Sequence, residues 1–128
     1  MIVDTSALMA IILNEPESDM MLRKILQASP CRISAATRME AATVVIRRHP
    51  AKANLMEALF QRVQMAIEPV TSEQARLGAE AYRKFGRGTG HPARLNFGDC
   101  FAYALAKATG EPLLYKGDDF AQTDILTA

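Results

Sequence analysis

Met1-Ile2-Val3-Asp4-Thr5-Ser6-Ala7-Leu8-Met9-Ala10-Ile11-Ile12-Leu13 opens the chain, and its reading sets the fold. Ile2-Val3 is a short apolar start that ends in an acid. Thr5–Leu13 is then almost continuously apolar, too long for one strand, and reads as a buried helix stopped near Asn14. The last third repeats the pattern: Asp99 precedes an apolar helix over Cys100–Ala108, Gly110 is a natural helix stop, and Leu113–Tyr115 reads as a strand. Its exit loop is Lys116–Asp119, and Asp124–Leu126 is expected as a final edge strand.

Between these ends the same alternation continues. A helix begins around Pro16 and carries Met21, Leu22, Ile25 and Leu26 as its apolar face, with Pro30 as its stop. Cys31–Ser34 reads as a strand, and Ser34 as the cap of a helix to about Arg48, closed by His49-Pro50. Leu55, Met56, Leu59, Phe60 and Val63 mark another amphipathic helix, and Ala66–Val70 another strand. Thr71-Ser72-Glu73-Gln74 resembles a capping box for a helix to Phe85, and Gly86–Pro92 is loop. Short apolar strands alternating with helices predict a parallel sheet covered on both faces, hence an α/β fold in one domain over 1–128. Such sheets place ligands beyond the C-terminal strand ends, where Asp4 and Asp118 should lie.

Composition narrows the function classes. The chain has 128 residues, 49% hydrophobic and 23% charged, which is ordinary globular usage. The longest apolar run, Ala7–Leu13, is far below the roughly 18 residues of a membrane span. The start carries no basic region and has an acid at position four, so neither a signal peptide nor a membrane location is expected, and the cytoplasm is. Two cysteines, Cys31 and Cys100, make neither a disulfide framework nor a zinc site, and with His49 and His91 they show no ligand spacing. Net charge is only +1, but its distribution is uneven. Residues 81–98 hold Arg83, Lys84, Arg87 and Arg94 with no acid, whereas Asp99, Glu111, Asp118, Asp119 and Asp124 dominate the remainder. A basic surface around an acidic hole suits a polyanion held over cations.

Each acid has an ordinary structural explanation. Asp4 and Asp99 fit helix caps, and Asp118-Asp119 fits turn chemistry. Glu40 is harder to explain, since it sits mid-helix on the side expected to meet the sheet, where an ionised carboxylate is costly unless satisfied. Together they are better explained as oxygen ligands for a hard divalent cation, which takes a few carboxylates, water and phosphate.

At this point the sequence resembles the PIN-domain ribonucleases, specifically the VapC toxins of bacterial toxin–antitoxin pairs. The resemblance rests on Ile2-Val3-Asp4-Thr5-Ser6-Ala7, on Glu40 after Ile33-Ser34-Ala35, and on Asn96-Phe97-Gly98-Asp99-Cys100-Phe101-Ala102. It is completed by Leu113-Leu114-Tyr115-Lys116-Gly117-Asp118-Asp119-Phe120 and Thr123-Asp124-Ile125. It implies a three-layer α/β/α domain with sheet order 3-2-1-4-5. It also implies an endoribonuclease dependent on Mg²⁺ or Mn²⁺, a VapB-type antitoxin as partner, and a homodimer. Asp4 and Asp99 match the principal metal ligands, Glu40 completes that site, and Asp118 matches the fourth acid, with Asp119 as its rival. Ser6 matches a carboxylate-orienting position, Thr5 a helix cap or a supporting group, and Asp124 a supporting acid. Arg83, Lys84, Arg87 and Arg94 are the candidates for RNA phosphate contact, against a solvated linker. Tyr82, Phe85, Phe97 and Tyr103 are expected in the core, not on a base-stacking platform.

Other classes stay on the page. A receiver-type phosphoacceptor domain shares the sheet, Mg²⁺ and a late-strand lysine, here Lys116, but needs paired acids after the first strand. A PIN-fold interaction module that keeps the acids without turnover would bind metal and leave RNA intact.

Overall fold

Ile2 and Val3 point to opposite faces of the central strand, and the two residues belong to two separate cores. The structure is a computed structural model describing residues 1–28 and 30–128. Its strands are β1 (Ile2–Val3), β2 (Arg32–Ser34), β3 (Ala66–Glu68) and β4 (Leu113–Leu114). Its helices are α1 (Thr5–Ile12), α2 (Ser18–Gln27), α3 (Ala35–Arg48), α4 (Ala53–Arg62), α5 (Ser72–Phe85) and α6 (Asp99–Thr109). The strands pair in parallel in the order β3-β2-β1-β4, with Ile2 opposite both Arg32 and Leu113.

Val3, Ile33 and Leu114 pack with Leu8, Ile12, Met21, Ile25, Val45 and Phe60 from α1 to α4. Ile2 and Leu113 pack instead with Ala81 and Phe85 of α5 and with Tyr103 and Leu105 of α6. The strand period of two therefore feeds one core on each side of the sheet, giving the expected three layers. Asn14, at φ 55°, lies just past α1, and Gly110, at φ 67°, ends α6 in the left-handed conformation that glycine adopts without strain.

The differences from expectation have local causes. Order 3-2-1-4 is present, but the fifth strand is reduced to one parallel bridge, Leu113 to Thr127. Phe120–Gln122 forms a 3₁₀ turn instead, and Asp124 is drawn to Tyr103 (2.6 Å) and Lys107 (3.1 Å), so the segment is tied to α6. Leu26 and Leu55 are exposed, not on core faces, because the stripes of α2 and α4 run through Ser18, Met21 and Ile25 and through Met56, Leu59 and Phe60. No described helix is long and apolar enough to cross a membrane.

The sheet's two ends differ in charge. Before the strands begin, Glu111 binds both Arg32, at 3.1 Å, and the terminal amine of Met1. Beyond the C-terminal ends lie Asp4, Glu40 and Asp99, with no basic partner among the described residues.

Two caps give contrasting stability predictions. The Thr71 hydroxyl accepts from the Gln74 amide at 3.2 Å, whereas the Ser34 hydroxyl is buried and bonds to nothing among the described residues. Thr71→Ala should therefore cost about 1 kcal/mol in urea unfolding. Ser34→Ala should leave stability level or raise it, because it removes a buried hydroxyl without a partner.

Candidate active site

Asp4 leaves β1 with its amide donating to the Leu114 carbonyl at 2.9 Å, which seats it between β1 and β4. Its carboxylate is 3% exposed as a residue and divides its work. Oδ2 caps α1, accepting from the Ser6 amide (2.8 Å) and the Ser6 hydroxyl (2.6 Å). Oδ1 is buried with no partner among the described residues. The Ser6 oxygen in turn accepts from the Lys116 amide at 2.9 Å, so one hydroxyl ties β1's acid to the exit of β4.

Glu40 reaches the same place from α3. Thr5 Oγ1 donates to its Oε2 at 2.7 Å, giving Thr5 a supporting role while the α1 cap belongs to Asp4. The other side of this carboxylate lies against Gly98, where a Cβ would collide with Oε1. Gly98 has ordinary helical backbone angles, so its lack of a side chain serves that contact and not a turn. Neighbouring Arg38 is bound to Glu57 at 2.9 Å, which leaves Glu40 without a cation.

Asp99 starts α6 and closes a reciprocal turn with Asn96. Its Oδ2 accepts from the Asn96 amide at 2.6 Å, and Asn96 Oδ1 accepts from the Asp99 amide at 3.0 Å. Thus each of the three acids gives one oxygen to a protein donor. No hydrogen bond among the described residues claims Asp4 Oδ1, Glu40 Oε1 or Asp99 Oδ1.

The electrostatics show that these groups feel one another. Burial pushes the Asp99 carboxyl up to about 6; the Asn96 amide opposes this, and the charges of Asp4, Glu40 and Asp119 add to it. Burial also raises Asp4, against the Ser6 hydrogen bonds and with help from Glu40. Of the late doublet, Asp119 is the member whose charge reaches Asp99, and both acids are exposed. Among the described residues no three His, Cys, Asp or Glu side chains close around a common point.

Other candidates are placed elsewhere. Asp124 lies beside the second and third turns of α6, bound to Tyr103 and Lys107. Arg83 and Lys84 share a hollow of about 180 Å³ with those same residues, one to two turns from Asp99 along α6. Arg87 and Arg94 lie nearer in sequence, joined by Arg87 Nε donating to the Arg94 carbonyl at 3.3 Å. Lys116 Nζ pairs with Glu15 (2.7 Å) and Glu17 (3.0 Å), not with the acids, which removes the lysine a receiver-type site needs. Phe97 and Tyr82, expected in the core, are exposed. Gly98 was not singled out by sequence reasoning; its place directly before Asp99 was the available signal.

A model of the PIN domain matches residues 1–126. The chain belongs to the PIN-domain family. Within it, Ribonuclease VapC42 of Mycobacterium tuberculosis is 48% identical, covering 100% of this chain and 98% of that protein. Ribonuclease VapC28 of the same species is 45% identical over 100% of this chain and 97% of its own length. This PIN domain therefore sits among the VapC proteins. Among solved structures, M. tuberculosis VapC20, described as a Sarcin-Ricin loop cleaving toxin, superposes with TM-score 0.74 at 20% identity, covering 99% and 97% of the two chains. A toxin–antitoxin complex from Klebsiella pneumoniae gives TM-score 0.75 at 16% identity, covering 99% and 95%. At those identities the structural likeness shows the fold.

A carboxyl whose pKa is higher folded than unfolded binds protons preferentially when folded, so it lowers stability as pH rises through that interval. For Asp99 the interval runs from 3.8 to about 6. In EDTA, the protein should gain stability as pH falls from 7 to 5. Asp99→Asn should raise the pH 7 stability by on the order of 1–2 kcal/mol, discounted for partial exposure, as read by thermal melts.

Proposed function

We propose that this PIN domain is the toxin of a toxin–antitoxin pair and hydrolyses RNA phosphodiester bonds with a divalent cation, Mg²⁺ or Mn²⁺, held by its acid cluster. The observation that carries the reading is the set of three carboxylates from separate elements, each oriented through one oxygen with the other left free. The unpartnered, buried Asp4 Oδ1 is the atom that most needs a cation. An all-carboxylate donor set suits Mg²⁺, which typically uses one or two carboxylates plus water and substrate phosphates, so a closed protein cage is not required. Asp4 and Asp99 would hold the ion, Glu40 would complete the set, and the fourth acid comes from the Asp118-Asp119 doublet, with Asp119 favoured by its effect on Asp99.

When bound, such a cation supplies Lewis-acid polarisation of water and phosphate oxygens. The protein's own part is orientation. Ser6 and Thr5 fix the angles of Asp4 and Glu40, and Asn96 fixes Asp99. The free oxygens would hold the cation, and Arg87 and Arg94, joined through the Arg94 carbonyl, would supply positive charge for the phosphate chain. Lys116 is occupied by Glu15 and Glu17, and His91 Nδ1 accepts from the Ala93 amide at 3.2 Å. Lys116 and His91 are thus both engaged elsewhere among the described residues, and this supports direct hydrolysis to a 5′-phosphate over a His–Lys attack through the ribose 2′-OH.

A VapB-type antitoxin is the inhibitor in this reading, consistent with the toxin–antitoxin complex among the structural neighbours. A cationic antitoxin side chain would meet an acid cluster that has no counter-charge of its own. Action as a homodimer in the cytoplasm belongs to the same reading.

Cleavage of a defined RNA with its ends mapped tests it. The expected result is 5′-phosphate ends, activity lost in EDTA and restored by Mg²⁺ or Mn²⁺, and losses of at least about 100-fold in Asp4→Asn and Asp99→Asn. Cyclic 2′,3′-phosphate ends at an undiminished rate in EDTA would overturn it. Metal binding without any cleavage would favour a non-catalytic interaction module.

Gly98→Ala separates site from scaffold. Its backbone angles suit alanine, so the melting temperature should hold, while the displaced Glu40 carboxylate should lower the rate about ten- to a hundredfold. Asp124→Asn should do the reverse, loosening the C-terminal segment while leaving cleavage close to the parent rate.

A further inference from the structure

A cavity of about 460 Å³ opens between α5 and the start of α6. Gln74, Gly78 and Tyr82 line it from α5, and Phe97, Cys100 and Phe101 from the other side. Those last three flank Asp99 in sequence, so the cavity and Asp99 share one turn of chain. Phe97 is 75% exposed and stands edge-on to Phe101, ring centres 4.9 Å apart, so it presents an aromatic surface at the rim. Tyr82 supplies a second exposed ring.

Gln74 is the polar exception. Its residue is 7% exposed, and its backbone amide is used by the Thr71 cap, yet no hydrogen bond among the described residues engages its side-chain amide. That amide is not among the fully buried unpartnered groups, so it opens to the cavity, where two N–H donors and a carbonyl are free for a ligand. Aromatic rings at the rim and an amide within form the pairing that receives an unstacked base: the ring stacks on its face, and the amide reads its edge. The volume falls within the range of small-molecule pockets.

We propose that this cavity is a specificity pocket for a single unpaired nucleobase next to the cleaved phosphate, with Phe97 stacking on the base and Gln74 reading its edge. The inference rests on the ribonuclease reading above. It deepens that reading by naming single-stranded or looped RNA, with one base turned out, as the substrate form. Because Phe97 and Asp99 are two residues apart, a base seated here draws its own phosphate toward the acids. Preference for that base is thereby coupled to the position of the cut.

The test uses the full chain with Ca²⁺ in place of Mg²⁺ and four single-stranded oligoribonucleotides that differ only at one position beside the mapped cut. A fifth carries 2-aminopurine there. Wild type is expected to favour one base about tenfold and to quench 2-aminopurine on binding. Phe97→Ala, an exposed change that leaves the fold alone, should abolish the quench and weaken binding about tenfold, the size of one lost stack. Gln74→Leu should flatten the base preference while the quench persists. If wild type binds and cleaves RNA but both variants match it in affinity, preference and quench, the pocket proposal fails and the ribonuclease reading stands. The same outcome with a shift of the monomer–dimer equilibrium in sedimentation would reassign the cavity to contact with a second copy. If wild type neither binds nor cleaves RNA, the ribonuclease reading itself falls.

Discussion

Everything about this domain turns on keeping carboxylates in a place where they repel one another. The C-terminal edge of the sheet brings the end of β1, the second turn of α3 and the start of α6 together, and each contributes an acid. Burial raises Asp4 and lifts Asp99 to about 6, so the arrangement works against the stability of the cation-free protein. The rest of the fold offsets that cost through two apolar cores, one on each face of a four-stranded sheet.

Part of that arrangement was legible in the chain and part was not, for physical reasons. Asp4 could be found because a two-residue apolar strand followed by a long apolar helix leaves an acid no other place than the strand end. Asp99 announced itself by repeating the pattern, and Glu40 by sitting as a charge on a helix face otherwise suited to a core. Alternating strands and helices predicted a parallel sheet, and the family resemblance, not the alternation, implied the order 3-2-1-4 that is present. The final strand did not follow, because Asp124 bonds to Tyr103 and Lys107 across 21 and 17 residues, a competition that local periodicity cannot express.

The supporting groups were hardest to read. Thr5 looked like a cap, but it holds Glu40 from 35 residues away, and Gly98 matters because of what stands over it. The apolar spacing of Tyr82 and Phe97 suggested core, and only the packing of α5 on α6 decides which of those rings turns outward. The choice between Asp118 and Asp119 is likewise a matter of how the chain bends at the left-handed Gly117.

The division of each carboxylate into a tethered oxygen and an untethered one has a consequence for how such a protein is kept. Its acids are anchored by serine, threonine and asparagine, and those anchors make no use of the opposite oxygens. In the proposed reading, a cation arriving at the free oxygens would find the carboxylates already oriented and would relieve the repulsion between them, so loading would raise the stability of a finished scaffold without any helix having to form.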